Sequence, residues 1–451
     1  MKVNIDFSKR TGKTIRPLHG VNNSPVRLEG SLPEYKDAGI PFVRLHDTFG
    51  LYGGHVYVDI PNLFPDFDAD ENDPASYRFE FTDAYLKTLV ASGTQIFFRL
   101  GVTIENDYKI RVYNIAPPPD FSKWARICEH VIRHYNEGWN KGFHFNIQYW
   151  EIWNEPENPR MWSGTREQFL DLYRITSLHL RKCFRDIKIG GYGCCGFYEI
   201  SKPPSELIPW FKTLIPWFHA FLKMVKKENL PFDFFSWHRY LKNSKVMIVE
   251  AEYVRKELDA HGFRETESIY GEWNSGDGTP DMWDHMKSNI GASRIAEILI
   301  AMQKQTSIDK AMYYDATPTR CYGGLYFFPS ERVTPTYYSF KAFNSLYQRK
   351  NEVPVKIIGR AAAVLAAADE NSAAMMAANP GTREVRLDCS ITHAPGRARA
   401  WITDETRTFE KIRFEKDMIL PPHSVLLVEW NGKVLGKSNV SGGTGNFGGL
   451  G

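Results

Sequence analysis

The feature that most constrains the fold is an alternation of strand-like and helix-like segments over the first three quarters of the chain. Eight short apolar runs end in polar or turn residues, and amphipathic segments lie between most of them. The strand-like runs are residues 15–21, 42–46, 95–101, 147–153, 187–192, 232–238, 268–273 and 311–315. Eight such units predict an α/β fold, a (β/α)8 TIM barrel, in which functional side chains gather where the strands end.

The helix-like segments carry apolar residues at helical spacing and have recognisable starts. They cover residues 83–92, 124–135, 167–184, 216–228, 246–261 and 290–305. Asp120 or Ser122 can cap the second of these helices, and Thr165 can cap the third. The polar residues that are candidates for function follow predicted strands and not predicted helices.

The pattern changes after about residue 350. Short strand-like runs separated by turn residues cover 353–358, 361–367, 373–378, 384–390, 398–402, 408–414 and 424–430. They predict a smaller C-terminal all-β domain of the sandwich type. The predicted organisation is an N-terminal strand within 1–14 that joins the β-domain, a barrel over 15–348, the β-domain over 349–436 and a Gly-rich tail over 437–451. A chain of 451 residues suits one large domain and one small one.

Composition excludes some classes of function. The formal net charge of +3 predicts neither a nucleic-acid partner nor an anionic membrane surface. No apolar stretch approaches the roughly 18 residues that span a bilayer. Aromatic residues are abundant, at 14% of the chain, and their faces pack against the C–H faces of sugars, although they also fill large cores.

The cysteines and the first residues predict a cytoplasmic protein. The six cysteines show no CxxC spacing, so we expect free thiols and a reducing compartment; they are Cys128, Cys183, Cys194, Cys195, Cys321 and Cys389. The start, Met-Lys-Val-Asn-Ile-Asp-Phe-Ser, lacks the apolar segment of a signal peptide, although a cleaved signal could have been removed. The small β-domain and the Gly-rich tail are compatible with a homo-oligomer.

Two glutamates stand at predicted strand ends in matching surroundings. Glu155 ends the run Ile-Gln-Tyr-Trp-Glu-Ile-Trp-Asn-Glu-Pro at 147–156, and Glu272 lies in Ser-Ile-Tyr-Gly-Glu-Trp-Asn-Ser at 268–275. Glycoside hydrolysis needs such a pair, one carboxyl as proton donor and one as base or nucleophile. A single strand-end glutamate is more often a helix cap or a surface residue, but the matched pair favours catalysis.

With these glutamates at strands four and seven, the chain resembles clan A glycoside hydrolases and, more narrowly, glycoside hydrolase family 39 of β-xylosidases and α-L-iduronidases. The matching stretches are His-Gly-Val-Asn-Asn at 19–23, Tyr-Trp-Glu-Ile-Trp-Asn-Glu-Pro at 149–156, Trp-His at 237–238, Gly-Glu-Trp-Asn-Ser at 271–275, Gly-Gly-Leu at 323–325 and Pro-Thr-Tyr-Tyr-Ser-Phe at 335–340. Arg-Leu-His-Asp at 44–47 and Tyr-Tyr-Asp-Ala at 313–316 differ from the xylosidase pattern, so the resemblance names the chemistry and leaves the sugar open.

The resemblance implies a role for four of these residues. Glu155 would be the acid/base, Glu272 the nucleophile, Asn154 a partner of the sugar 2-hydroxyl, and His238 a neighbour of the nucleophile or of the sugar. With carboxyls about 5–5.5 Å apart, hydrolysis would retain the anomeric configuration through a covalent glycosyl-enzyme. Glu155 must start protonated, and Tyr149, Trp150, Trp153 and the Glu272 charge could together raise its pKa.

Other polar and aromatic residues are weaker candidates for the substrate site. His19 and Asn22 end strand one, and His46 and Asp47 follow strand two; each could bind sugar hydroxyls or hold a loop. Tyr270 could donate to Glu272. Candidate sugar platforms are Trp273, Trp283, Tyr314 and Tyr322, although a single aromatic more often belongs to the core. Arg99 fits a carboxylate clamp or a core salt bridge equally well, and we expect a structural role for Glu151.

The residues leave several functions open. The preferred interpretation is a retaining, β-xylosidase-like exo-glycosidase acting on an oligosaccharide or glycoside. Alternatives are an endo-acting polysaccharide hydrolase, an exo-glycosidase of other specificity such as an arabinosidase or galactosidase, and a non-catalytic carbohydrate-binding barrel. The sequence holds no HExxH, Walker or dinucleotide motif in a suitable context, so we expect neither a metal nor a cofactor.

Overall fold

The computed structural model of the protein describes residues 1–46, 57–103, 114–241, 244–276, 281–318, 322–359 and 361–432. Eight parallel strands close into a barrel in chain order. After β1 (Lys2–Asp6), the barrel strands, first to eighth, are β2 (Gly20–Asn22), β3 (Phe42–Leu45), β4 (Gln95–Leu100), β5 (Tyr149–Asn154), β6 (Lys188–Gly193), β7 (Phe234–Tyr240), β8 (Glu267–Asn274) and β9 (Lys310–Tyr313). The predicted TIM barrel is confirmed.

The first barrel strand is shorter than the run that predicted it. The predicted run began at residue 15, but β2 begins at Gly20. Pro17 has no N–H to donate to a ladder, so regular pairing starts beyond it. His19 therefore lies before the first barrel strand and not within it.

Helices cover the outside of the barrel. They are α1 (Pro33–Ala38), α2 (Ile60–Leu63), α3 (Glu80–Ala91), α4 (Phe121–Glu137), α5 (Arg166–Cys183), α6 (Tyr198–Ser201), α7 (Leu214–Glu228), α8 (Ser244–Ala260), α9 (Met282–Met286), α10 (Asn289–Gln305) and α11 (Tyr337–Gln348). Short 3-10 turns lie at Pro74–Ser76, Trp139–Lys141, Pro204–Glu206 and Pro209–Thr213. Asp120 caps α4, and Thr165 with Gln168 forms a capping box at α5. None of the helices within the described residues is long and apolar enough to cross a bilayer.

The remaining strands form two sheets. They are β10 (Asn351–Val353), β11 (Val355–Ile358), β12 (Ala363–Ala368), β13 (Ser372–Asn379), β14 (Val385–Thr392), β15 (Arg397–Thr403), β16 (Glu410–Ile412), β17 (Asp417–Leu420) and β18 (Ser424–Asn431). One sheet has the order β11-β1-β14-β17 and the other β10-β12-β13-β18-β15-β16. β1 thus lies between β11 and β14, and the single run expected at 353–358 divides at Pro354 between the two sheets.

The barrel interior is layered along its axis. An apolar layer fills the end where the strands begin; it consists of Phe42, Phe97, Tyr149, Phe234, Ile269 and Met312. Buried polar side chains from the same strands follow further along, including Arg44 and Glu151. This arrangement leaves the carboxyl ends of the strands for polar chemistry, as in other barrels of this kind.

Candidate active site

The two glutamates singled out by the sequence lie together at the carboxyl ends of the barrel strands. Glu155 directly follows β5, and Glu272 lies near the end of β8. His238 of β7 lies between them, with its Nδ1 2.8 Å from Glu155 Oε1 and 3.6 Å from Glu272 Oε2. One donor atom from each of the three side chains falls within 4.8 Å of the other two. The carboxylates therefore face a common space.

The backbone at the end of β5 turns Glu155 into this space. Trp153 and Glu155 have φ angles of 71° and 45°, in the left-handed region that non-glycine residues rarely adopt. Trp153 points outward and donates its indole N–H to Met161 O at 2.9 Å. The Glu155 N–H donates to Gly193 O at 2.7 Å, which holds the strained segment against β6. Strain of this kind is typical of functional sites.

Gly193 is required by the close approach of the site residues. A Cβ at this position would lie 2.9 Å from Asn154 Oδ1 and 3.0 Å from Arg44 Nη2. A side chain would therefore push apart the groups around the two carboxylates.

An irregular register in β8 separates Tyr270 from Glu272. The pairing with β7 shifts between Tyr270 and Glu272, so that these two residues face opposite sides of the strand. The expectation that Tyr270 donates to Glu272 is wrong, because its hydroxyl donates to Arg239 O at 2.7 Å and its ring stacks on Trp237. Trp273 is likewise not a sugar platform: it is fully buried and packs edge-on against Tyr313.

Arg44 of β3 is the main positive charge at the site. Its fully buried guanidinium lies 2.8 Å from Glu272 Oε1 and 2.7 Å from Glu151 Oε2. It also donates to Asn154 Oδ1 at 2.5 Å and to Asn22 Oδ1 at 3.0 Å. A buried cation bonded to two carboxylates compensates charges that would otherwise be costly to bury.

Asn22 and Glu151 therefore lie behind the site and hold Arg44. The Asn22 amide donates to Gly271 O at 2.9 Å and to Met312 O at 3.1 Å, so it ties β2 to its neighbours and does not face a sugar. Glu151 also accepts a hydrogen bond from Ser236. This agrees with the structural role expected for Glu151.

A cluster of aromatic side chains lies next to Glu272. Tyr240 of β7 donates its hydroxyl to Glu272 Oε2 at 3.0 Å. Its ring lies 6.0 Å from Tyr314 and 5.4 Å from Tyr322, and Trp283 packs edge-on against Tyr322 at 4.9 Å. Sequence reasoning missed Tyr240, although it stands two residues after His238 on the same strand, where alternation places both on one face.

The remaining candidates separate into two groups. His46 Nε2 lies 3.5 Å from Glu272 Oε1, and its ring lies 6.0 Å from Tyr314, so His46 belongs to the site. Asp47 lies outside the described residues. Arg99 pairs with buried Asp59 at 2.5 Å and is a core salt bridge.

The expectation that His19 faces the sugar is wrong. Because β2 begins after it, His19 points towards the helices, where Nε2 contacts Gly39 O at 3.1 Å. Its ring packs 5.4 Å from Phe343 and 5.1 Å from Tyr347. Burial lowers the pKa of His19 to about 4, so it is neutral at ordinary pH.

Comparison with known proteins decides the family. The model of "Glycosyl hydrolases family 39" matches residues 34–380. The chain belongs to glycosyl hydrolase family 39. The resemblance predicted from the sequence is thereby confirmed.

Curated relatives of this family 39 chain are distant. A β-xylosidase of Caldicellulosiruptor saccharolyticus is 24% identical over 262 residues, which are 53% of this chain and 46% of that protein. A β-xylosidase of Geobacillus stearothermophilus is 22% identical over 46% of this chain and 39% of its own length. The chain thus spans less than half the length of the two β-xylosidases it matches.

Solved structures share the fold along nearly the whole family 39 chain. A glucosidase from Croceicoccus marinus superposes with a TM-score of 0.75 at 20% identity, covering 95% of this chain and 98% of that one. A monomeric β-xylosidase from Caulobacter crescentus superposes with a TM-score of 0.67 at 17% identity, covering 96% and 99%. At these identities the likeness supports the fold alone.

The electrostatics of the family 39 site distinguish the two carboxyls. Burial raises the pKa of Glu155, while hydrogen bonds from Asn158 and Cys195 and the charge of Arg44 act in the opposite direction. Glu272 instead accepts from Arg44 and Tyr240. Burial also lowers the pKa of His238 to about 4, so its ring is neutral near pH 7.

The aromatic neighbours expected to desolvate Glu155 lie elsewhere. Tyr149 belongs to the apolar layer where the strands begin, and Trp150 and Trp153 pack outside the strands against Phe98 and Trp162. A second carboxyl, Glu157, is buried close behind Glu155 beside Cys194 and Cys195, and burial raises its pKa to about 8. Sequence reasoning missed Glu157.

Within the described residues, two groups of three side chains have the geometry to hold a metal ion. One is the set Glu155, His238 and Glu272, whose members already contact each other. The other is Glu129, His179 and Cys183 on the outer wall of the barrel. The carboxyls of the first set can carry out acid-base chemistry without a metal. The second set takes no part in that chemistry.

Proposed function

We propose that the protein is a retaining glycoside hydrolase with Glu155 as acid/base and Glu272 as nucleophile. The observation that carries this proposal is the meeting of the two carboxylates, with oxygens within 4.8 Å, in two different electrostatic settings. An inverting enzyme needs carboxyls roughly 6.5–9.5 Å apart to seat a water molecule beside the sugar. Burial favours the protonated form of Glu155, whereas Glu272 is ion-paired with Arg44 at 2.8 Å.

In the first step Glu272 attacks the anomeric carbon of the bound sugar. Arg44 and Tyr240 hold the two carboxylate oxygens and orient the nucleophile. As the bond between the anomeric carbon and the glycosidic oxygen breaks, Glu155 gives its proton to that oxygen and the leaving group departs. The sugar remains as an ester of Glu272.

In the second step a water molecule replaces the leaving group. Glu155 is now ionised and takes a proton from the water as it attacks the anomeric carbon. The ester bond to Glu272 breaks, the carboxylate is regenerated, and the sugar leaves with its original configuration. His238, which contacts both glutamates, would keep them aligned through both steps.

The substrate site is proposed to lie between the glutamates and the aromatic side chains. Asn154 Oδ1 is held by Arg44, so its amide N–H groups are the ones to meet the 2-hydroxyl. Tyr314, Tyr322 and Trp283 would contact the sugar face, and His46 a hydroxyl. We propose a terminal β-xyloside as the substrate because two curated relatives are named β-xylosidases.

A panel of aryl glycosides tests the activity and the sugar together. We expect release of the phenol from the xyloside, with arabinoside, galactoside, glucoside and iduronide as comparisons. NMR of the first-formed sugar should show the retained anomer. An inverted first product would contradict the mechanism, and turnover of polysaccharide without any aryl glycoside would favour endo action. Sugar binding without turnover would favour a non-catalytic barrel.

The alkaline side of the pH profile should report Glu155. Because burial raises its pKa above the ordinary 4.5, the protonated acid should persist to higher pH than in a free glutamate, and kcat/KM should fall as pH rises through the shifted pKa. The profile is measured with an aryl xyloside of poor leaving ability. In Glu155→Gln, assayed with an activated aryl glycoside, this alkaline decline should be absent; an unchanged decline would assign it to another group.

Tyr240→Phe should lower kcat/KM by about 10–100-fold, since a hydrogen bond to a charged group contributes about 1.5–3 kcal/mol. The lost bond is the one from the Tyr240 hydroxyl to Glu272 Oε2. Tyr270→Phe is the matched control because it removes a tyrosine hydroxyl of β8 that donates to the carbonyl O of Arg239, the residue before Tyr240 in β7, and does not contact Glu272. Equal losses in the two variants would indicate a general effect on the barrel and not on the nucleophile.

A further inference from the structure

Three side chains of types that can bind metals lie together on the outer wall of the barrel, between α4 and α5. His179 and Cys183 stand one helical turn apart on α5, and Glu129 faces them from α4. His179 Nε2 lies 2.6 Å from Glu129 Oε2 and 3.8 Å from Cys183 Sγ. The three donor atoms all lie within 4.8 Å of one another.

We propose that Glu129, His179 and Cys183 bind a divalent cation of the zinc class. A carboxylate oxygen, an imidazole nitrogen and a thiolate sulfur are all zinc ligands. Bonds of about 2.0–2.3 Å in a tetrahedral set separate neighbouring donors by roughly 3.3–3.8 Å. The sulfur-to-nitrogen distance already meets this spacing, and the shorter contact between Glu129 and His179 opens slightly when the cation replaces their hydrogen bond. A water molecule completes the coordination.

Binding requires the thiol to give up its proton. A free cysteine is mostly protonated near pH 7, so the empty site carries a thiol. When the cation binds, the sulfur–metal bond forms and the Cys183 proton passes to the solvent. The proton between His179 Nε2 and Glu129 Oε2 is transferred through solvent to His179 Nδ1, so that Nε2 presents a lone pair to the cation. The thiolate also sets the selectivity, because sulfur favours zinc and cobalt over magnesium and calcium.

The surroundings orient the carboxylate and admit the cation. Arg133 donates to Glu129 Oε1 at 2.8 Å, which leaves Oε2 directed at His179. The charge of Arg133 is itself shared with Glu137 one turn further along α4. The His179 side chain is 28% exposed, so the site is reached from solvent without unfolding.

The position of the site predicts a structural role. Cys183 is the last residue of α5 and precedes β6, so it lies towards the end of the barrel where strands begin. Glu155 and Glu272 lie at the opposite end. A cation here cannot reach the sugar, but it joins α4 to α5 through ligands from both helices.

Titration of the full chain with Co²⁺ tests the site, since a cobalt–thiolate bond gives a charge-transfer absorption band. We expect the band in the unaltered protein and its loss in Cys183→Ser. Cys389→Ser, which removes a buried thiol in the β-domain, should keep it. His179→Ala should weaken Co²⁺ binding at least about 10-fold, as loss of a ligand or its support does.

Thermal unfolding supplies an independent readout. Zn²⁺ at about 100 times its dissociation constant should raise Tm by about 3 °C in the unaltered protein and not in Cys183→Ser. Hydrolysis of an aryl glycoside should be equal in both proteins without metal. Absence of the cobalt band in the unaltered protein, or an identical band in Cys183→Ser, would overturn the proposal. Metal inhibition that persists in Cys183→Ser would indicate binding at Glu155, His238 and Glu272 instead.

Discussion

Glu272→Ala should lower kcat on an aryl xyloside by on the order of 10⁵-fold while leaving the fold intact. The carboxylate is the group proposed to form the covalent bond, and it lies among buried polar side chains at the carboxyl ends of the barrel strands. The truncation leaves Arg44 paired with Glu151, so the buried guanidinium keeps one carboxylate partner. Circular dichroism and Tm would check the fold. The absence of a pre-steady-state burst of phenol would check that no glycosyl-enzyme forms.

The control for this variant lies on the same strand. Glu267 begins β8, far from the site, where it pairs with Lys188 and Lys310. Glu267→Ala should retain activity within a few-fold. Azide should restore product formation in Glu272→Ala as a glycosyl azide of inverted configuration, because the anion attacks from the space of the lost carboxylate. Wild-type-like turnover in Glu272→Ala would refute the assignment of the nucleophile.

Glu155→Ala should lose about 10²–10⁴-fold on glycosides with poor leaving groups, since general acid catalysis contributes this much. Activated aryl glycosides need little protonation, so their first step should survive. The glycosyl-enzyme should then accumulate, because no base remains to activate water. A rapid burst of phenol followed by slow turnover, measured by stopped flow, is the expected record.

The leaving-group series is the internal control for Glu155. If Glu155 only stabilised the fold, all substrates would lose activity equally. Azide should rescue this variant with retained configuration, opposite to Glu272→Ala, since attack comes from the side of the departed leaving group. The same configuration of azide product from both variants would contradict the two roles.

The barrel and the family could be predicted because the strand signals are strong and repeated. The predicted starts at Phe42 and Gln95 match β3 and β4, and the run predicted to end at residue 153 ends at Asn154 in β5. α11 was not predicted, although the Pro-Thr-Tyr-Tyr-Ser-Phe segment at its start was singled out. Aromatic residues suit helices and strands alike when they are buried, so their periodicity is a weak guide there.

Side-chain direction could not be predicted from alternation alone. In a regular strand Tyr270 and Glu272 would share a face, but the shifted register of β8 turns them to opposite sides. The left-handed backbone at Trp153 and Glu155 similarly resets the alternation after β5. Such irregularities depend on the closed barrel, and no local residue pattern predicts them.

The role of Arg44 also required the three-dimensional structure. The sequence shows an arginine within an apolar strand, which is unusual enough to suggest a buried partner. Its four partners come from three other strands, at positions 22, 151, 154 and 272. Contacts over such separations follow from barrel closure and not from spacing along the chain.

The position of β1 between β11 and β14 has a consequence for synthesis of the protein. About 350 residues separate the end of β1 at Asp6 from the start of β11 at Val355. A ribosome therefore releases β1 long before either of its partners exists, and both edges of this strand stay unpaired while the barrel is made. The four-stranded sheet can be completed only after the barrel strands and β17 have been made, so β1 meets its partners later than the barrel strands that follow it in the chain.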